Sequence, residues 1–211
     1  MRGKLITFEG AEGSGKTTQC RIAYDYLRRR RWPVFLVREP GGVKISEAVR
    51  KILLDARNVR MSDECEVLLY MAARAQLVSE VIAPALKKGK IVLCDRFLDS
   101  TLAYQGYGNG VAISKIKAIG RFATLGVAPE LTLVFDIDAR RGLARRGKNR
   151  DRIERPVLYA PEHDFADRHR LLGIGNDKRA RGCLLRAETG NRYQACRTKK
   201  IDYRYRGVRH H

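Results

Sequence analysis

An α/β fold, in which a parallel sheet is flanked by helices, is what this sequence predicts, and three observations carry it. Short apolar runs recur along the first two thirds of the chain, and segments of helical spacing lie between them. Two of the runs, Ile91-Val92-Leu93-Cys94-Asp95 and Leu131-Thr132-Leu133-Val134-Phe135-Asp136, are continuous and close on a carboxylate, the pattern of strands buried on both faces. The first run, Leu5-Ile6-Thr7-Phe8, leads into Gly10-Ala11-Glu12-Gly13-Ser14-Gly15-Lys16-Thr17 and then a helix. Strands alternating with helices argue for a parallel sheet, with ligands at the carboxyl ends of its strands.

Each element follows in turn. The glycines of residues 10–17 let the backbone aim its N–H groups inward, and the next helix offers its positive end to an anion. Lys16 would reach the β- and γ-phosphates of a nucleotide, and the Thr17 hydroxyl would bind Mg²⁺. Ile22, Tyr26 and Leu27 are predicted on one face of that helix, which ends on basic residues that suit its dipole. After the turn at Trp32-Pro33, Val34 to Val37 reads as a second strand, ending in the loop Arg38-Glu39-Pro40-Gly41-Gly42. Ser46 to Leu54 reads as a short helix. Asp63-x-x-Glu66 resembles a capping box opening a long helix that runs toward Pro84 and Gly89. Ser114 to Leu125 is a further helix, stopped by Gly126 and Pro129.

The chain has 211 residues, 44% hydrophobic and 31% charged, enough for one sizeable core with a small lid. No apolar stretch is read as a membrane span and Met1 leads into a strand without a signal pattern, so a cytoplasmic protein is expected. Cys20, Cys65, Cys94, Cys183 and Cys196 are scattered, with no C-x-x-C pair, and read as reduced thiols without a metal cluster. The net charge of +20 calls for a polyanionic partner, nucleic acid or phosphorylated small molecules. About +12 of it belongs to residues 1–154 and about +8 to residues 155–211, which also hold all four histidines.

Five fragments, in order, resemble the thymidylate kinase family of P-loop enzymes. They are Phe8-Glu9-Gly10 through Thr18-Gln19, Arg38-Glu39-Pro40-Gly41-Gly42, Ala72-Ala73-Arg74-Ala75-Gln76, Asp95-Arg96-Phe97 with Ser100 and Ala103-Tyr104-Gln105-Gly106, and Asp151-Arg152-Ile153-Glu154. The resemblance covers about residues 1–154. It implies a P-loop NTPase-type sheet, transfer of the γ-phosphoryl of Mg²⁺-ATP to dTMP, and a homodimer.

The site residues it implies agree with the chemistry of bringing two phosphate anions together, which needs cations and positioning. ATP would be held by Gly10, Ala11, Glu12, Gly13, Ser14, Gly15, Lys16, Thr17, Thr18 and Arg141. The acceptor dTMP would meet Glu12, Arg38, Pro40, Tyr70, Arg74, Arg96, Ser100, Tyr104 and Gln105. Arg38 and Arg96 would grip its phosphate, Tyr70 would stack on the base, Arg74 would bond its edge, and Glu12 would lie near the sugar 3′-hydroxyl. Thr17 and Asp95 would serve Mg²⁺. Gly13 stands where some members of the family carry a catalytic arginine. The catalytic set is accordingly Lys16 and Arg96 with the lid arginines Arg145, Arg146 and Arg150, in a basic lid at about residues 139–154 that would exclude water.

Past Glu154 the family's amphipathic helix, last strand and C-terminal helix are not legible. Residues 155–211 read as an anomalous basic tail, disordered or irregular, or translated out of frame after a shift near Glu154. Codons for Arg170-Leu171-Leu172-Gly173-Ile174-Gly175-Asn176 can be chosen so that the next frame encodes Gly-Tyr-Leu-Glu-Leu-Ala, like a segment that follows the lid in the family. Two other readings stand beside dTMP kinase: a kinase for another nucleoside monophosphate or a deoxynucleoside, and a nucleic-acid-binding P-loop ATPase motivated by the charge. No groove-reading helix or aromatic-interleaved basic module supports the latter, so nucleic acid is not an expected partner.

Overall fold

The sheet runs in the order β2-β3-β1-β4-β5-β6, and its first four strands are parallel. They are β1 (Lys4–Gly10), β2 (Val34–Arg38), β3 (Ile91–Asp95) and β4 (Leu131–Asp136). This computed structural model describes residues 3–137, 142, 144–145, 184–189 and 192–196, the last two segments as backbone. All four predicted strands are present.

Registry explains why the functional residues converge. Phe8 pairs with Asp95, Arg38 with Asp95, and Gly10 with Phe135, so the carboxyl ends of β1 to β4 meet at one edge of the sheet. The central strands alternate between two cores. Leu5, Val92 and Cys94 pack with Leu77, Val78, Ile82 and Ala85 on one face. Phe8, Leu93 and Phe135 pack with Cys20 and, less buried, Ala23 and Leu27 on the other.

That second face belongs to α1 (Lys16–Arg29), which begins on Gly15 in the left-handed region, φ 89°. The predicted face is corrected in part: Leu27 packs inward as expected, but Ile22 and Tyr26 are 51% and 53% exposed, and Cys20, Ala23 and Tyr24 turn inward in their place. Lys16 is buried in the first turn. Anchoring that turn at the β1 edge sets the helix's rotation, and spacing alone left the choice between two apolar faces open.

The other face is covered by α2 (Lys44–Leu54) and by α3 (Asp63–Leu77), a π-helical turn (Val78–Ile82) and α4 (Ala83–Lys87). Ser62, not Asp63, caps α3, its hydroxyl accepting from the Cys65 N–H at 3.2 Å. The predicted capping box is therefore one residue out of place, and Glu66 is used elsewhere. The helix also passes Pro84, the wide π turn coming just where proline must forgo its N–H. The whole stretch Asp63–Lys87 is long and apolar enough by composition to cross a membrane, which the sequence reading did not foresee. Here Leu77, Val78, Ile82 and Ala85 pack against the sheet, Val67 and Met71 pack among helices, and Leu68 is exposed.

A second helical stretch that periodicity did not reveal, α5 (Leu98–Thr101) with a π-helical turn (Leu102–Gly108), follows β3 and precedes α6 (Ile113–Ala123). Val67, Met71, Leu102, Ile116 and Ala123 join these helices in their own core.

Two strands lie in the tail where none was legible: β5 (Leu184–Thr189), antiparallel to β4, and β6 (Arg192–Cys196), antiparallel to β5. The sequence signal for such a pair is Gly190-Asn191, a hairpin dipeptide between Thr189 and Arg192, which face each other. Pairing with an open sheet edge needs only backbone groups, so no apolar run announces it. The remainder of the tail lies outside the described residues.

Candidate functional site

Phosphate chemistry begins at the end of β1. Gly10, Gly13 and Gly15 have φ of 143°, 71° and 89°, a region that residues with a Cβ adopt at a cost, so the loop depends on glycine at these turns. Lys16 is folded back into the loop, Nζ donating to Ala11 O at 3.3 Å and lying 3.5 Å from Glu12 Oε1. Burial, with Arg96 adding repulsion, lowers its pKa to about 8, while Glu12, Asp95 and Glu9 oppose the shift. Thr17 and Thr18 are exposed.

Below the loop, the Thr17 hydroxyl donates to Asp95 Oδ2 at 2.6 Å, and Asp95 Oδ1 is buried without a partner. A hydroxyl and a carboxylate with an oxygen to spare are hard donors of the kind Mg²⁺ takes alongside nucleotide phosphates. Among the described residues no cluster of three or more His, Cys, Asp and Glu could hold a metal by itself.

Beside the loop opens a cleft with about 590 Å³ of empty volume, part of it open to solvent. Pro40, Tyr70, Arg74, Arg96, Ser100, Tyr104, Gln105 and Glu12 line it, all residues singled out in the sequence. Arg38 does not line the cleft. Its guanidinium donates to both Glu47 oxygens, at 2.8 and 3.1 Å, and to Pro40 O at 2.9 Å. Glu47 is fixed in turn by the Gly42 N–H at 2.7 Å, which with Arg38 holds its carboxyl below the usual range. In the cleft stands Arg50 of α2, which also donates to Pro40 O at 2.9 Å. Nothing in the sequence distinguishes Arg50 from any arginine on a surface helix.

Arg96 occupies the junction of loop and cleft. Its backbone is left-handed at φ 70°, pinned by its N–H to Phe8 O at 3.0 Å. The guanidinium donates to Glu12 and to Ser100 Oγ, the latter at 2.9 Å, and lies over the Tyr104 ring. Burial pushes the Tyr104 phenol upward, although Arg96 pulls the other way.

At the floor of the cleft, Arg74 is 1% exposed. It donates to Glu39 Oε2 at 2.7 Å, to Phe97 O at 3.1 Å and to Thr101 Oγ1 at 3.0 Å. Burial raises the Glu39 carboxyl to about 7 against the pull of Arg74, and its Oε1 is buried with no partner. Gln105 gives its amide N–H to Glu66 at 2.6 Å. The role of Glu39 was missed because a carboxylate beside a proline reads as loop punctuation.

Of the lid arginines, Arg145 is described: it is exposed, and its Nη1 donates to Gly13 O at 3.3 Å. The lid's Gly142 packs so closely against the P-loop that a Cβ on either Gly13 or Gly142 would strike the other's neighbourhood. Arg141, Arg146 and Arg150 lie outside the described residues.

A parallel sheet that ends on a phosphate loop, and a cleft that shares the loop's own Glu12, make this a protein of the P-loop nucleotide-binding class. The family model described as Thymidylate kinase matches residues 8–168, past the point where the sequence resemblance fades. A thymidylate kinase of Herpetosiphon aurantiacus is 55% identical over 147 residues, covering 70% of this chain and 62% of its own length. One from Thermoanaerobacter sp. is 49% identical, covering 74% and 76%, and one from Halothermothrix orenii is 41% identical, covering 88% and 100%. The crystal structure of thymidylate kinase from Ehrlichia chaffeensis superposes with a TM-score of 0.61 at 36% identity, covering 75% of this chain and 86% of that one. The chain belongs to the thymidylate kinase family.

Proposed function

We propose that the protein transfers the γ-phosphoryl group of ATP to dTMP, giving dTDP. One observation carries the reading: Glu12 belongs at once to the phosphate loop and to the cleft, and Arg96 of the cleft donates to it across the boundary where donor and acceptor phosphates must meet. Such a transfer is catalysed by positioning and charge. The loop amides and Lys16 hold the donor phosphates, and Arg96 holds the acceptor phosphate in line. Arg145 brings a further cation to Gly13, a loop position without a side chain of its own.

Mg²⁺ accompanies ATP in this reading, with Thr17 and Asp95 as the residues that hold it, directly or through water. When bound it neutralises charge on the β- and γ-phosphates.

Base selection falls to the cleft floor. Gln105 gives one amide N–H to Glu66, which orients its amide and leaves the carbonyl and the second N–H for a base edge, and Arg74, bonded through Nε and Nη2 to Glu39, Phe97 and Thr101, has Nη1 to turn toward a base carbonyl. Tyr70 supplies the stacking face. A coupled assay comparing dTMP, dUMP, AMP and thymidine tests the assignment: dTMP is expected to give the highest kcat/KM, and faster turnover of any other acceptor overturns it.

The same reading places the protein in the cytoplasm as a homodimer. Ile45 and Ile52 of α2, Leu68 of α3, and Phe122 and Leu125 at α6 are all exposed on helices that form one layer. Apolar side chains so grouped are what a second copy would cover. Phe122→Asp is expected to yield a monomer by sedimentation velocity, and an unchanged mass would rule this face out.

A further inference from the structure

Glu9, the next-to-last residue of β1, is a buried carboxylate that neither touches the cleft nor pairs with a cation directly. Side chains alternate along β1, so Glu9 follows Leu5 and Thr7 on the face that packs against α3. It is 2% exposed, a place where an acidic side chain costs stability unless its oxygens are fully bonded.

Both oxygens are bonded, and the direction of each bond is forced. The Phe97 N–H can only donate, so Glu9 Oε1 accepts it, at 2.7 Å. Arg96 Nη1 can only donate, so Ser100 Oγ accepts it, at 2.9 Å, and the one hydroxyl hydrogen of Ser100 goes to Glu9 Oε2, at 2.6 Å. The chain of bonds Arg96 to Ser100 to Glu9 therefore has a single polarity and ends on an acceptor at both oxygens. Burial raises the Glu9 carboxyl, but Ser100, Arg96 and Phe97 all pull it back toward the ionised form that this wiring uses.

We propose that Glu9 is a positioning residue for phosphoryl transfer, holding the Arg96 guanidinium at the acceptor phosphate through Ser100 and fixing the turn at Phe97. The proposal rests on the reading of Arg96 as the acceptor-phosphate ligand. Arg96 needs such a brace because its left-handed backbone at φ 70° is a conformation that its own side chain does not favour. Gln at position 9 keeps the shape and breaks one bond whichever way its amide turns: NH₂ toward Ser100 Oγ takes away the acceptor of the hydroxyl hydrogen, and NH₂ toward the Phe97 N–H sets donor against donor.

Glu9→Gln is expected to raise the KM for dTMP and lower kcat/KM for dTMP by roughly 10–100-fold, the scale of one hydrogen bond to a charged group. The KM for ATP should stay within about twofold, since the phosphate loop keeps its own bonds. Ser100→Ala cuts the chain in the middle and serves if Glu9→Gln does not fold. It should give the same dTMP-selective loss, and the double variant should be no worse than the more impaired single. Unaltered dTMP parameters in either variant, equal losses for ATP and dTMP, or additive losses in the double variant overturn the proposal. Calorimetric titration with dTMP, in the absence of ATP, separates this from the kinase assignment. If dTMP binds the full chain without being phosphorylated, the assignment fails and the variants still decide the relay; if dTMP does not bind at all, both fail.

Discussion

Lys16→Met is expected to reduce kcat for phosphoryl transfer by at least about 10²–10³-fold while leaving the fold intact, the size of effect seen when one preorganised charge is taken from a transition state. Met keeps the length and the apolar stem that fills the loop and removes only the cation. The melting temperature should hold or rise, because charging Lys16 in its buried position works against folding: its pKa is lowered to about 8 chiefly by loss of water. A lysine with a depressed folded pKa binds fewer protons than the unfolded chain between about 8 and its ordinary range. Its contribution to stability therefore improves as pH rises through that window. Function runs the opposite way. In the free protein Lys16 loses its proton as pH climbs through about 8, so the KM for ATP should rise there, whereas kcat at saturating ATP should change less because bound phosphates favour the charged form. Steady-state kinetics of both proteins from pH 6.5 to 9.5 check this. A Lys16→Met variant with near-normal kcat would remove the loop from the chemistry.

The parts of this site that were legible in the sequence are those whose chemistry forces a local pattern. Glycines at positive φ, a lysine at the helix start, and apolar runs closed by Asp95 or Arg38 are each dictated by backbone geometry or by strand burial, and four strands and the loop followed from them. What escaped was decided by contacts between distant segments. Arg38 stands out by its loop and Arg50 by nothing, and only the fold shows that Glu47, held by the Gly42 N–H, engages Arg38 while Arg50 lines the cleft. Glu9 and Glu39 look like ordinary carboxylates until burial leaves them answering to Ser100 and Arg74, many residues away. Of the two π turns, Val78–Ile82 has only Pro84 just beyond it as a signal, and Leu102–Gly108 carries no signature of its own. The hairpin of β5 and β6 escaped for the opposite reason, its pairing being carried by backbone groups that every residue has.

The largest stability effect should come from the floor of the cleft. Arg74→Met is expected to cost about 3–5 kcal/mol, because it strands the Glu39 carboxylate in a site from which water is excluded. Glu39 is 5% exposed, and it already has one oxygen without a partner while Arg74 holds the other at 2.7 Å. The pH dependence identifies the cause. Burial raises the Glu39 carboxyl to about 7 even with Arg74 in place, so between its ordinary value and about 7 the folded protein holds a proton that the unfolded chain releases. Stability from this group is thus present at low pH and is lost as pH rises through that interval. Without Arg74 the carboxyl should move higher still, making the penalty smaller at pH 5.5, where Glu39 is neutral in the variant, and larger at pH 8. Adding Glu39→Gln to Arg74→Met should restore much of the loss, since removing both charges leaves nothing ionised to bury. Urea unfolding of the unaltered protein and the two variants at the two pH values decides the matter. A loss below about 1 kcal/mol, or one equal at both pH values, would mean that the buried pair does not govern this part of the core. Binding of dTMP should not return with stability in the double variant, because the donors of Arg74 at the cleft floor are still missing.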